Sequence, residues 1–205
     1  MRREALLLLL LAACPSISTV QTAETVPPGH WTVGGAIGVA GYRDVEQGTR
    51  VPLPQLELVA RRGLTPYLDA GVKLYLTSIE LGAKACVHAG AWAFALAPSF
   101  AVGRTREGGA FTEAVYLYGH LAALAGRPLS DRFSIVLGPK LMWALFLPKN
   151  GGHADGWSVG GVLGVEIRFG RWALLPEVNA YKTAAGTIPT DGGALQFGIG
   201  ILRDL

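Results

Sequence analysis

At 205 residues the chain is short enough for one domain, yet half of its residues are of hydrophobic type and only 16% are charged, against roughly 25% charged in ordinary soluble domains. The formal charge of +3 is scattered over the chain rather than gathered on one face, which excludes the basic patch of a nucleic-acid binder. Beyond residue 13, Gly, Pro, Tyr or a charged residue interrupts every apolar run, so no stretch is long enough for a membrane helix.

The first 13 residues have a basic start (Arg2, Arg3), an apolar run and a small-residue end, the pattern of a secretory signal peptide. The tetrapeptide Leu11-Ala12-Ala13-Cys14 resembles the bacterial lipobox, and that resemblance implies Cys14 as a lipid-attachment site. The alternative is ordinary cleavage, with Cys14 a bystander or with the cut near Gln21-Thr22-Ala23. Residues 14–29 are rich in Ser, Thr, Gln and Pro and read as a flexible tether. Cys86 is the only other cysteine; with Cys14 acylated no intrachain disulfide forms, and Cys86 is expected to pack as a small residue.

From residue 30 onward the period is two, the mark of strands with two unlike faces. The first strand, about 30–42, sets Trp31, Val33, Ile37 and Val39 against Thr32, Gly34, Ala36, Gly38 and Ala40. A second, near 52–61, sets Leu56 and Leu58 against Gln55 and Glu57, with a turn expected at 62–66. Leu68, Ala70, Val72, Leu74 and Leu76 then alternate with Tyr67, Asp69, Gly71, Lys73 and Tyr75. After a tight reversal at Thr77-Ser78, Ile79, Leu81 and Val87 oppose Glu80, Lys84, Cys86 and His88.

The fifth strand opens at Trp92, the sixth carries Tyr116, Tyr118 and His120, and the seventh opens at Phe133 and carries Lys140. The eighth and ninth form a hairpin: 157–169 alternates Trp, Val, Leu, Ile and Phe with Ser158, Glu166 and Arg168, and 172–182 places Glu177, Asn179 and Tyr181 on its polar face. Gly170-Arg171 between them suits a type II′ turn, which wants Gly first. A last strand spans about 195–201. Pro98, Pro139 and Pro176 fall within strands on the apolar face, where a missing N–H marks a bulge or bend.

High apolarity without spanning helices points to an all-β, closed, antiparallel, up-and-down transmembrane barrel. About ten strands are expected over the barrel domain 30–205, with eight and twelve as the neighbouring even counts. Connections after the first, fifth, seventh and ninth strands are longer and polar, and most even ones are short. That asymmetry is expected of outer-membrane barrels, with short turns and both termini periplasmic. Trp31, Trp92, Phe133 and Trp172 each open a strand leaving that side, as an aromatic girdle would.

The charges set the sidedness. Glu57, Asp69, Lys73, Glu80, Lys84, Lys140, Glu166, Arg168 and Glu177 all lie opposite the large aliphatics. A Lys or Arg facing lipid near the midplane costs roughly 2–4 kcal/mol, and four together would rival the stability of a domain. These nine side chains are therefore expected inside, pairing across a narrow, mostly plugged lumen with Tyr67, Tyr75, Tyr116, Tyr118 and His120.

No nucleotide-binding loop, metal-ligand spacing or nucleophile elbow is present in the sequence, so no catalytic residue, metal or cofactor is assigned. On this alternation and the signal, the chain resembles the small outer-membrane β-barrel proteins of Gram-negative bacteria with a lipoprotein-type signal. The resemblance implies a non-enzymatic structural or surface-interaction protein of the outer membrane. Its partners would be outer-membrane lipid, the barrel-insertion machinery and an extracellular partner at the loops, with no nucleic acid. Alternatives are a lipid-modifying barrel enzyme and a narrow small-solute channel. The chain departs from the usual barrel terminus, which ends on an aromatic, by ending on Leu205.

Overall fold

The computed structural model of the protein describes residues 18–43, 50–105, 114–149, 151–187 and 193–205. The predicted signal peptide and Cys14 lie outside the described residues, as do parts of four connections. Ten strands follow in order. They are β1 (Trp31–Arg43), β2 (Arg50–Thr65), β3 (Leu68–Tyr75), β4 (Ser78–Ala89) and β5 (Trp92–Thr105). There follow β6 (Ala114–Pro128), β7 (Phe133–Pro148), β8 (Ala154–Phe169), β9 (Trp172–Gly186) and β10 (Ala194–Asp204).

Each strand pairs antiparallel with its neighbours in sequence, and β1 pairs with β10 to close the barrel. Closure leaves no unpaired edge, the condition for a sheet to be stable in hydrocarbon. Period-two sequence makes the barrel inside out relative to a soluble one. Ile37, Leu58, Leu81 and Phe197 stand exposed on the circumference, while Glu57, Asp69, Lys84 and Gln196 are buried within it. The axis divides into two ends: one holds the termini and four short connections, the other the four longer connections and the short β3–β4 turn.

Several boundaries differ from the sequence reading. β2 runs on through Arg61 and Arg62 to Thr65, with a register shift between Gly63 and Thr65, so the expected 62–66 turn is strand and bulge. Tyr67, expected in the lumen, stands exposed in the turn that follows. β8 begins at Ala154, inside a stretch read as loop, because its partner β7 is long enough to pair with it back to Phe146. At the β8–β9 hairpin Gly170 has φ +65° and Phe169 faces Trp172 across the ladder, as the turn chemistry predicted.

The three in-strand prolines share one arrangement. Pro98 pairs with Leu121 on β6, Pro139 with Gly161 on β8 and Pro176 with Ile199 on β10. Towards the preceding strand the ladder is interrupted at each of them, in β4–β5, β6–β7 and β8–β9. A proline has no N–H to give on that side, so the interruption falls where the donor is missing.

Candidate functional site

The lumen is the only place where polar chemistry collects among the described residues, and it is built by the inward half of every strand's alternation. All nine charged residues singled out in the sequence lie on the lumen side. Eight are buried, and Arg168, whose side chain is 42% exposed, sits at the mouth on the terminal end, where it pairs with Glu166 at 2.8 Å. Pairing runs within a strand, between neighbouring strands and, for Lys140, over an intervening one. Asp69 on β3 takes the Arg61 guanidinium from β2 on one oxygen and lies 3.3 Å from Lys84 Nζ of β4 on the other. Lys73 reaches Glu80 at 3.4 Å, and Lys140 donates to Asn179 Oδ1 at 2.9 Å. Arg61 was missed in the sequence because the second strand was ended there; its even spacing from Glu57 carried the signal.

The half of the lumen nearer the long loops is filled by aromatic rings. Tyr116 and Tyr118 are fully buried and stacked, 5.9 Å between centres, with Phe146 6.0 Å from Tyr116. Tyr75 donates its phenol to Glu80 Oε2 at 2.5 Å. His120 meets Tyr118 edge-on at 4.9 Å, and its Nδ1 lies 3.3 Å from the Tyr181 hydroxyl. Its Nε2 is buried without a hydrogen-bond partner. Lys140 and Lys73 lie over the Tyr181 and Tyr75 rings at 5.3 and 5.5 Å, which places their charge against the negative ring faces.

The other half is occupied by the chain's own N-terminal segment, which the sequence reading had as a flexible tether. Residues 18–28 run from mid-lumen to the rim. Ser18 donates to Glu57 Oε1 at 2.7 Å, and Glu177 accepts the main-chain N–H groups of Thr19 and Val20 at 2.8 and 3.0 Å. Asp69 accepts the N–H of Val26 at 3.0 Å. Lysines take the carbonyls: Lys73 donates to Ser18 at 3.1 Å, and Lys84 to Thr22 at 3.0 Å and Glu24 at 2.5 Å. Val20, Ala23 and Val26 are buried against the wall. Val20 holds φ +42°, a left-handed conformation costing of order 1–3 kcal/mol for a β-branched residue. Thr32, Arg61, Glu166 and Arg168 line a cavity of about 140 Å³ left between segment and wall at the mouth.

The wall is cut to receive this segment. A methyl group on Gly63 would stand 2.1 Å from the Pro27 carbonyl oxygen, one on Gly126 2.8 Å from Ala23 Cβ, and one on Gly200 2.8 Å from a Val20 methyl. Polar, small-residue composition is what a solvated linker and a segment bound in a polar lumen have in common, so composition alone could not separate them. Cys86 is buried in the cluster that contains Ala23, Ala95 and Leu124.

At the terminal end the four aromatics of the predicted girdle all open their strands on the outer face. Trp31, Phe133 and Trp172 are each more than two-fifths exposed, and Arg62, Arg127 and Arg203 stand over Trp31, Trp92 and Trp172.

No protein-family model and no curated protein matches the chain. Among solved structures it is similar to an outer membrane channel from Pseudomonas putida F1, with TM-score 0.54 and 11% identity over 93% of this chain and 100% of that one. It is also similar to Neisserial surface protein A (TM-score 0.47, 11% identity, 85% of this chain and 95% of that one). A third is Ail, the attachment invasion locus protein of Yersinia pestis (TM-score 0.45, 12% identity, 87% and 99%). The channel supports the fold alone: this chain is a ten-stranded, closed, up-and-down antiparallel barrel of the kind found in outer-membrane proteins.

Proposed function

We propose that this protein is a closed, non-enzymatic β-barrel of the Gram-negative outer membrane, serving a structural or surface-interaction role. Both chain ends would be periplasmic, and the long connections would meet an extracellular partner. The observation that supports this most is the filling of the lumen over its depth, by stacked aromatics in one half and residues 18–28 in the other. A charge network with its partners in place supports the same reading, since a conducting pore would need wetted, separated charges. The inward placement of His120 and the acids counts against a lipid-modifying enzyme, whose reacting groups must meet lipid. Barrel-insertion machinery and outer-membrane lipid are its proposed partners, and acylation at Cys14 is proposed for a chain whose N-terminal segment has left the lumen.

The test is planar-bilayer recording of the purified full chain, read beside mass spectrometry of lipid A from cells with and without the gene. A closed barrel gives no unitary steps above the bare bilayer, and a non-enzymatic one leaves the lipid A spectrum unchanged. Ohmic steps of reproducible size would end the closed reading, and a gene-dependent change in acylation would end the non-enzymatic one.

A further inference from the structure

We propose that the terminal-end half of the lumen is a binding site for a polypeptide segment, in which residues 18–26 are a tethered, exchangeable occupant rather than a fixed part of the core. This goes beyond the closed-barrel reading, which concerns conduction and not what the lumen recognises.

Three observations carry it. First, the wall reads the main chain. Glu177 and Asp69 accept amide N–H groups of Thr19, Val20 and Val26, while Lys73 and Lys84 donate to the carbonyls of Ser18, Thr22 and Glu24. Carboxylates on amides and ammonium groups on carbonyls are the complementary halves of peptide recognition, and both are charge-assisted. Second, several of the wall's charges pair with one another independently of the segment. Asp69 holds Arg61 and Lys84, Lys73 reaches Glu80, and Asn179 bridges Lys140 and Glu177. Withdrawal of the segment would leave these groups paired beside water rather than orphaned. Third, recesses at Gly126 and Gly200 receive the Ala23 and Val20 side chains, and Gly63 gives room to the Val26 carbonyl, so the wall fits the segment's contour. The ligand class is therefore a peptide dominated by Ser, Thr, Ala and Val, bound through its backbone.

Cys86 is a built-in reporter, because Ala23 packs in the same buried cluster. The experiment uses the full chain with Cys14→Ser, folded in detergent micelles, and follows modification of Cys86 by a charged, water-soluble methanethiosulfonate. Gly200→Leu fills the recess at Val20, in a cluster separate from that of Cys86, and is expected to speed labelling at least ten-fold while the barrel keeps its heat-dependent gel mobility. A chain in which residues 18–26 are replaced by Gly and Ser at equal length is expected to label equally fast. Added synthetic peptide of the sequence 18–26 slows that chain towards the parent rate, and the same peptide N-methylated at Thr19 and Val20 does not. A folded Gly200→Leu barrel that labels at the parent rate overturns the proposal. So does a replaced-segment chain that no longer folds, which makes the segment core, or one whose labelling the peptide leaves unchanged.

Discussion

The Arg62 guanidinium lies over the indole of Trp31, its direct partner across the β1–β2 ladder, 5.5 Å from the ring centre. Arg203 and Trp172 repeat the pair across β9–β10 at 5.2 Å, and Arg127 stands over Trp92 at 5.5 Å. All three arginines are exposed on the outer face at the terminal end. An indole suits the level of lipid headgroups, and a guanidinium over it stays hydrated while its charge meets the ring's negative face. Each Arg→Ala change is expected to lower stability in lipid vesicles by about 0.5–1 kcal/mol. Urea unfolding followed by tryptophan fluorescence measures it, and an unchanged midpoint would remove the pair from the stability account.

Asp69 and Arg168 should separate under mutation. Asp69 has no exposed surface and serves Arg61, Lys84 and the N–H of Val26 at once. Asp69→Ala leaves two cations facing each other in the wall, and a loss of about 3–5 kcal/mol is expected. Arg168 is partly open to water at the mouth but pairs with buried Glu166, so Arg168→Gln should cost less than Asp69→Ala, about 1–3 kcal/mol. The same urea titration reads both, and equal losses would contradict the buried-network assignment.

Glycines in the wall differ in what a methyl group would meet. At Gly138 it would stand 1.9 Å from the Ala123 carbonyl oxygen and 3.0 Å from Leu124 Cα, which are backbone atoms of the adjacent strand. At Gly119 the nearest atom is 3.7 Å away, ordinary contact. Gly138→Ala is expected to displace the β6–β7 ladder where Pro139 already interrupts it, and to abolish the heat-modifiable folded band. Gly119→Ala should fold as the parent does. A folded Gly138→Ala barrel of parental stability would show that the two strands can separate at this level.

Much of this architecture is legible in the chain because period-two alternation is a direct imprint of a wall with lipid on one side. Lys73, Lys84 and Lys140 reveal the inside by the cost of any other placement, and Phe169-Gly170-Arg171-Trp172 reveals a hairpin by its turn residue. The two-residue period also contained Arg61, which went unassigned because the second strand was ended at it while β2 runs on to Thr65. What could not be read was the course of residues 18–28. They make no ladder, so no period marks them, and their Ser, Thr and Val side chains suit water and a polar lumen alike. The seat becomes visible only when Glu177, Lys84 and Gly200, far apart in sequence, are seen to converge on one path.

The direction in which the N-terminal segment runs sets a condition on lipid attachment. Ser18 is held at the level of Glu57 and Asn179, roughly 16 Å above the rim if β9 tilts by about 45°. Cys14 is four Cα–Cα steps away, which fully stretched reach about 14 Å. A diacylglyceryl group on Cys14 must bury its fatty tails in a leaflet beyond the wall, which lies outside that radius by any route back through an occupied lumen. Lipid attachment at Cys14 and a seated N-terminal segment are therefore alternatives: tails moored in the bilayer would draw residues 18–28 out of the lumen.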